Sequence, residues 1–441
     1  MRRSSRSATF PLAAAILGLV LFFGATSGLA QSAAGSGAND SELSVSAVSS
    51  PVEGTANGEP AAVQSTPAGD TLEIPIEPVE PPPPQPQWTG SDPDAVIVAA
   101  PRSGPWAVFG QDSEMGAALG LKSLGGDIRL RFIDEESPQL IREIISSPPP
   151  AAIIGHLYES TLAAAYPYYQ AAKIPVILPF LEQISLDVLG PTFFRLRADA
   201  AFQGQKLALE VPRTGNRRPE QVIILQGPGE AEGALAEAFR EALINPKAPA
   251  PTKQNPKPST PRALNAKVVF TVPVNSFSDL AVLKELKTSP RDWVLIALPN
   301  RLALKAAPVL SETKLKRGTF IAPMWLAVRE VGAVYLDVDI NNLQVLVPVD
   351  LGTAKNPNKA LIEFTRRYTQ LYRRSPSWAS VMAYDAARLA CLATSGEQGP
   401  EDFLADRQQI RNGASGNYDL SGSGWPMSLL KVEENRLSFL P

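Results

Sequence analysis

The residues that most often carry chemistry are scarce in this sequence of 441 residues. It contains one histidine, His156, and one cysteine, Cys391. A single imidazole and a single thiol exclude a three-histidine zinc site, a multi-cysteine metal site and an intramolecular disulfide. No apolar run is followed by the glycine spacing of a phosphate-binding loop, and no activated nucleophile stands near His156 in the sequence. We therefore expect no catalytic residues, no metal, no cofactor and no enzymatic activity.

These two side chains have structural explanations. His156 directly follows an apolar run that ends at Gly155, which predicts a hydrogen-bonded residue at the end of a buried strand. A pH-sensitive ligand contact is the alternative for this imidazole. Cys391 lies on the apolar face of a predicted helix, where cysteine packs as a small hydrophobic residue.

The N-terminal segment has the order of a secretory signal peptide. Arg2, Arg3 and Arg6 precede an apolar run over residues 13–23, and small residues continue to Ala30. We predict a signal peptide over residues 1–30 and a periplasmic protein. The apolar run is shorter than the roughly 20 residues of a membrane span, and an uncleaved N-terminal anchor is the alternative.

The formal net charge of −3 argues against nucleic-acid binding, which depends on Lys and Arg contacts to phosphate.

Residues 31–93 are rich in Pro, Ala and Ser and carry acidic but no basic side chains. Such a segment has too little apolar surface to offset its ordering entropy. We predict a disordered acidic linker that stiffens into polyproline II near its end. Its simplest role is that of a spacer, and a proline-rich docking site for a partner is the alternative.

From residue 94 onward, short apolar runs alternate with helical patterns. The predicted strands are 96–99, 128–133, 151–154, 174–178, 222–225, 268–272, 293–297 and 320–323. The predicted helices are 109–122, 138–146, 161–172, 231–243, 278–286, 358–372 and 378–394. A polar break at 213–219 divides the series, and a hairpin is expected around 421–424. This alternation predicts an α/β protein with two doubly wound parallel-sheet lobes and a cleft between them.

Several short motifs follow this order of elements. They are Ser103–Trp106 with Gly110, Ile154–Leu157 with Ser160, Ile174–Ile177 with Pro179, Phe194–Arg197 with Gln203–Gly204, Ala383–Ala386, and Gly416 with Tyr418, Asp419 and Gly422. Each is weak alone, but the ordered series resembles the type I periplasmic solute-binding proteins. Within them it is most similar to the leucine/isoleucine/valine-binding branch of ABC transporters. The resemblance covers roughly residues 95–439.

The resemblance implies three segments that cross between the lobes, near 213–220, 347–353 and 411–415. Lobe 1 would then comprise residues 94–215 and 350–412, and lobe 2 residues 216–349 and 413–441. In the family a small-molecule solute sits between the lobes, which close by hinge motion, and the closed form docks on a membrane permease. We expect a monomer with these two partners.

At the positions that hold an amino-acid solute in that family, this chain carries different residues. Glu159 and Glu182 stand where small hydroxyl side chains hold the solute's carboxylate. Glu230 stands near the place of a stacking tyrosine, and Met324 at the place of the acid that holds the ammonium group. These exchanges go against recognition of an α-amino acid, because like charges repel across a cleft.

Two functions follow from this pattern. In the first, the cleft binds a cationic, apolar or amino-acid-like solute of an ABC importer. The residues expected to line it are Trp106, Tyr158, Glu159, Ser160, Phe180, Leu181, Glu182, Glu230 and Met324. In the second, a binding-incompetent relative serves as a scaffold or regulatory interaction module at the cell envelope. Each glutamate also has a plain explanation as a solvated residue or a partner of Arg195, Arg197 or Lys206.

Overall fold

A computed structural model describes the chain between residues 91 and 439. Within that range the described residues leave gaps at 126, 182–189, 191, 215–218, 246–267, 287–288, 290, 314–317, 325–339, 341–342, 353–355, 395–408, 411–412, 420–424 and 434–435. The predicted signal peptide, nearly all of the predicted linker, the predicted turn at 421–424 and Glu182 lie outside the described residues.

The first sheet is built from five parallel strands. They are β1 (Asp92–Ala100), β2 (Arg129–Asp134), β3 (Pro150–Gly155), β4 (Val176–Leu178) and β5 (Phe193–Arg195), in the spatial order β2-β1-β3-β4-β5. Residues 95–100 are buried without interruption, as expected of a strand in a parallel sheet with helices on both faces. The order reverses direction beside β1, which places a topological switch point between β1 and β3.

The second sheet has seven strands and is parallel over most of its width. They are β6 (Gln221–Gln226), β7 (Val268–Pro273), β8 (Trp293–Ala297), β9 (Thr319–Ala322), β10 (Leu343–Val347), β13 (Ser428–Glu433) and β14 (Arg436–Phe439). Their order is β14-β13-β10-β9-β8-β6-β7. The C-terminal hairpin pairs antiparallel with β10 and so extends this sheet. A separate short pair, β11 (Gln409–Ile410) and β12 (Tyr418–Asp419), lies near the chain's end.

Eight α-helices flank the sheets in the described part of the chain. They are α1 (Ala107–Ser123), α2 (Leu140–Ser146), α3 (Glu159–Ala171), α4 (Ala200–Glu210), α5 (Glu230–Ile244), α6 (Asn300–Glu312), α7 (Lys359–Tyr372) and α8 (Trp378–Thr394). None of them is long and apolar enough to cross a membrane. The helix predicted over residues 278–286 is a 3₁₀-helix over Ser278–Glu285. Its two buried side chains, Leu280 and Leu283, are three residues apart, which matches the period of the tighter helix.

The chain passes between the two sheets through packed helices. It leaves β5 through α4, which lies along α5 beside the second sheet. It returns to the first sheet after β10 through α7, which contacts α1. The Tyr372 hydroxyl on α7 donates to the Met115 carbonyl oxygen on α1 at 3.1 Å. It leaves again after α8, before β13. One continuous cluster of buried apolar residues accordingly has members from both sheets.

Helices α1 and α8 pack against each other more extensively than any other pair of helices described. Gly116 permits this approach, since a Cβ atom there would collide with the carbonyl oxygen of Ser380. Cys391 lies on α8 and is 5% exposed, in agreement with the predicted core position. Burial raises the pKa of its thiol above the ordinary value.

Candidate functional site

The carboxyl ends of β1 and β3 meet at the switch point of the first sheet, where ligands of doubly wound sheets bind. The loop after β1 carries Trp106, and the loop after β3 carries Tyr158, Glu159 and Ser160. The candidate residues of the first half of the site therefore come from adjacent strand ends. Trp106 is half-buried and packs against two clusters of buried apolar residues, one of which is formed mostly by the second half of the chain.

Beneath these loops lies a buried polar cluster, the loop network, formed by Glu135, His156, Leu157, Thr161 and Tyr169. The side chains of Glu135 and His156 are fully buried, with 2.8 Å between Glu135 Oε1 and His156 Nδ1. The Leu157 N–H donates to Glu135 Oε2 at 2.8 Å, and the Thr161 hydroxyl donates to Oε1. The Tyr169 oxygen lies 3.0 Å from His156 Nε2.

The partners of His156 define its tautomer. Burial, and then the nearby Glu135 carboxylate, raises the pKa of Tyr169, so this phenol keeps its proton. In a neutral imidazole, Nδ1–H donates to the Glu135 carboxylate and Tyr169 donates to Nε2, whereas a charged ring would donate to both partners. The prediction of a hydrogen-bonded histidine at the end of a buried strand is confirmed.

Residues 158–160, next to the loop network, are exposed to different degrees. Tyr158 is half-buried, and its hydroxyl donates to Glu136 Oε1 at 2.6 Å. Burial, and then Glu136, raises the pKa of this phenol. Glu159 and Ser160 form the first turn of α3 and are both exposed. The carboxylate of Glu159 at this helix N-terminus complements the helix dipole.

At the other end of the same sheet edge, three aromatic rings and a guanidinium form the aromatic cluster of Phe109, Phe180, Arg197 and Trp378. The Phe109 ring centroid lies 4.8 Å from that of Phe180 and 5.3 Å from that of Trp378. Arg197 lies over the Trp378 ring at 5.1 Å and donates to the Phe180 carbonyl oxygen at 2.8 Å. Burial lowers the pKa of Arg197 to about 9.

The second-sheet candidates lie in contrasting surroundings. Glu230 is exposed at the first position of α5. Met324 follows β9, is fully buried, and donates its N–H to Gln203 Oε1 on α4 at 3.0 Å. Gln203 is itself buried and donates to the Ala198 carbonyl oxygen at 3.1 Å. Met324 is thus held by backbone and side-chain contacts at the end of a central strand.

The structure brings some of the predicted residues together and separates others. Phe180 and Met324 belong to the same continuous apolar cluster, whereas Leu181 packs in a different one. Glu159 and Glu230 are exposed rather than enclosed. Of the cations considered as their partners, Arg195 pairs with Asp199 at 3.6 Å and Lys206 pairs with Glu210 at 3.1 Å.

Sequence reasoning missed three residues at this sheet edge. Glu135 follows β2 directly, and an acid at the end of a predicted strand was the available signal. Phe109 and Trp378 were predicted only as the first residues of two helices. Their meeting with Phe180 depends on contacts across more than 70 residues of chain, which no local pattern contains.

A second polar cluster, the link network, is buried at Asp385, Ala414 and Ser415 and joins the two later connections between the sheets. It consists of Asp350, Asn358, Asp385, Ala414 and Ser415. The Ala414 and Ser415 N–H groups each donate to the Asp385 carboxylate at 2.8 Å, and the Ser415 hydroxyl donates to it as well. Asn358 donates to the carbonyl oxygens of Asp350 at 2.8 Å and Ala414 at 3.1 Å. Burial raises the pKa of Asp385 despite these donors.

The connections approach each other closely at Gly416. Its φ is +132°, and a Cβ atom there would lie 2.7 Å from Pro426 Cβ and 2.8 Å from Asp350 Cβ. Only glycine combines this backbone conformation with this approach. Asp350 N–H donates to the Ser415 carbonyl oxygen at 2.6 Å, which binds one connection directly to the other.

The chemistry available at these sites is recognition. Among the residues that the structure describes, no group of three or more His, Cys, Asp or Glu side chains is placed to hold a metal ion. The switch-point loops offer hydrogen-bonding groups, exposed carboxylates and aromatic faces. Such surfaces suit a bound small molecule.

Comparison with known proteins by sequence finds no matching family model and no matching curated protein. Comparison of structures finds the isoleucine-bound branched-chain amino acid transporter substrate-binding protein LivJ of Streptococcus pneumoniae. It is 16% identical, with a TM-score of 0.60, and the match covers 78% of this chain and 97% of that one. The leucine-binding protein LivK of Thermotoga maritima is 17% identical, with a TM-score of 0.58, over 78% and 97% of the two chains.

A solute-binding protein of an R. palustris ABC transporter, in complex with 4-hydroxybenzoate, is also similar. It is 19% identical, with a TM-score of 0.57, over 78% of this chain and 94% of that one. Likeness at these identities shows the fold. The chain has the two-lobed α/β fold of the type I periplasmic binding proteins, as the sequence predicted.

Proposed function

We propose that this protein is an extracytoplasmic solute-binding protein of an ABC-type importer. The observation that supports the proposal is that Trp106 and residues 158–160 follow the adjacent strands β1 and β3 at the switch point of the first sheet. Two parallel-dominated sheets, joined through three connections, support a cleft between lobes as the place of binding. The signal-peptide pattern supports a periplasmic location.

The mechanism we propose is capture without chemistry. Lobe 1, residues 94–215 with 350–412, and lobe 2, residues 216–349 with 413–441, close on a solute by hinge motion. The closed form then docks on a membrane permease. We propose that the protein acts as a monomer.

The solute differs in kind among the structural neighbours, which include proteins in complex with isoleucine and with 4-hydroxybenzoate. In this chain, Glu159 and Glu230 are exposed carboxylates at helix starts, and Met324 is fully buried. Exposed carboxylates favour a solute that carries positive charge or none. We therefore propose a cationic or apolar small molecule over an α-amino acid.

Isothermal titration calorimetry of the protein against amino acids, amides, polyamines, and short-chain and aromatic acids tests the proposal. We expect at least one compound to bind, with a negative heat-capacity change from buried apolar surface. Trp106→Ala should weaken that binding at least tenfold. The matched control is Phe277→Ala, because Phe277 is an exposed aromatic residue directly before the 3₁₀-helix. No binding across the panel contradicts the proposal.

A second function, a binding-incompetent relative that acts as an envelope scaffold, is favoured by one observation. Phe180 and Met324 are 2% and 0% exposed and pack in one apolar cluster. The protein's own side chains therefore already fill the space around both residues. A scaffold would use the acidic linker for its partner. Pull-down from envelope extracts with and without residues 31–93 separates the functions, since a transport component needs no partner on that segment.

A further inference from the structure

The buried carboxylate of Glu135 is surrounded by four donors from residues 156–161, which follow β3. Its Oε2 accepts from the Leu157 N–H at 2.8 Å, and its Oε1 from the Tyr158 N–H at 3.5 Å. Oε1 also accepts from the Thr161 hydroxyl and from His156 Nδ1 at 2.8 Å. Three of these donors are on Oε1 and one is on Oε2, so both carboxylate oxygens are engaged.

The donors and the carboxylate come from different strands. Glu135 follows β2, and its own N–H donates to the Ala100 carbonyl oxygen at the end of β1 at 3.2 Å. The four donors follow β3. The side chain of Glu135 is fully buried, so the interaction is shielded from water and from competing ions.

Backbone N–H groups between a strand end and a helix start form a natural receptor for an anion. Here the receptor already contains an anionic group of the same chain. At this loop the Leu157 N–H already donates to Glu135 and could not donate to a solute carboxylate as well. The exposed carboxylates of Glu136 and Glu159 would also repel that solute. Both effects disfavour an anionic group at this position.

We propose that Glu135 is a specificity-determining residue: it occupies the carboxylate receptor of the β3–α3 loop from within the chain, so the solute presents a neutral or cationic group there. This inference deepens the proposed function and depends on it for the identity of the site. The occupancy itself is testable without any transported solute.

The test is chemical rescue in the full-length chain. Glu135→Ala removes four heavy atoms, and acetate supplies four heavy atoms of the same arrangement. We expect E135A to melt several degrees below wild type, and acetate to restore at least half of that loss in a saturable manner. Acetamide, which has the same shape without the charge, should not. Wild type should show no acetate dependence beyond that of an equal concentration of chloride.

The single histidine gives a direct second readout. With ¹³C-labelled histidine, NMR reports one imidazole, and its signals should shift in E135A and return towards wild-type values with acetate. If E135A does not fold, Glu135→Gln serves in its place. The glutamine NH₂ group would face the N–H and O–H donors that surround Glu135. The imidazole signals should therefore shift and the melting temperature should fall. The matched control is Glu136→Gln, since Glu136 lies in the same loop but is exposed.

Equal rescue by acetate and acetamide, or His156 signals in E135Q that match those of wild type, would overturn the proposal. So would saturable binding of acetate that shifts the His156 signals of wild type. A negative solute titration with a positive acetate rescue would instead contradict the proposed function and leave the occupied receptor established.

Discussion

Two buried carboxyl groups organise this molecule, and they differ in what they hold together. In the loop network, Glu135 binds groups that all lie at one edge of the first sheet. In the link network, Asp385 on α8 binds Ala414 and Ser415, which lie on a connection to the second sheet. Each accepts two backbone N–H groups and a hydroxyl. Glu135 has an imidazole N–H in addition.

This difference indicates that the two networks have different structural roles. A network confined to one sheet edge fixes the shape of a binding loop, whereas a network that spans the connections fixes how the two sheets are joined. Damage to the loop network should therefore change recognition as well as stability. Damage to the link network should change stability and the ease of lobe motion.

Apart from Glu135→Ala, the largest effect on stability is expected from Asp385→Ala. The substitution leaves the Ala414 N–H, the Ser415 N–H and the Ser415 hydroxyl buried without their acceptor, which costs about 1–3 kcal/mol for each unsatisfied group. We expect a loss on the order of 3 kcal/mol in the free energy of unfolding, measured by urea titration. Asp279→Ala is the matched control, because Asp279 also accepts two backbone N–H groups but at an exposed position. Equal losses in both variants would contradict the assigned role.

The pH dependence of the free energy of unfolding gives a second test of Asp385 in the link network. Burial raises the pKa of Asp385 in the folded state, so the folded state takes up a proton before the unfolded state as pH falls. Where the folded state holds more protons, stability decreases as pH rises. The stability gap between wild type and Asp385→Asn should therefore widen as pH falls from 7 through the folded-state pKa. A gap that narrows would show that the three donors outweigh burial.

Within the loop network, Tyr169→Phe removes the hydroxyl that fixes the His156 tautomer. We expect about 1 kcal/mol of destabilisation from the lost buried hydrogen bond, measured by thermal melting, together with a change in the histidine NMR signals. Tyr158→Phe is the control, because its hydroxyl reaches only the exposed Glu136. If both variants behave alike, His156 is not held as described.

The alternation of strands and helices could be predicted because each element carries its own local pattern. Residues 293–297 and 378–394 were predicted at their observed bounds. The helix α6 was missed: its apolar residues follow a proline, and Pro308 lies within it. Strand β10 was also missed, since a short apolar run does not by itself distinguish strand from loop.

The site was less predictable than the fold, for a physical reason. Tyr158 and Glu159 could be placed near a strand end by spacing alone. The partnership of Glu135 with Leu157 spans 22 residues and depends on the register of β1 between β2 and β3. Burial of Phe180 and Met324 in one cluster depends on how the two halves of the chain pack. Neither is a property of any local window of sequence.

The smallest effect is expected from Glu159→Gln and Glu230→Gln. Both residues are exposed at helix starts, where an acid adds about 0.3–1 kcal/mol through the helix dipole. Stability should change within that range, while the association rate of a cationic solute should fall and become less dependent on salt. Stopped-flow binding at two ionic strengths measures this. An unchanged salt dependence would remove these carboxylates from the recognition surface.

The burial of Cys391 has a practical consequence for studying lobe motion. A thiol that is 5% exposed and whose pKa is raised holds little reactive thiolate, so the native chain is nearly silent towards maleimide and methanethiosulfonate reagents. Two introduced cysteines, Glu143→Cys on α2 and Lys305→Cys on α6, would then take up spin labels selectively. Pulsed electron resonance between them would give the distribution of separations across the molecule, with and without solute, in the otherwise unmodified protein.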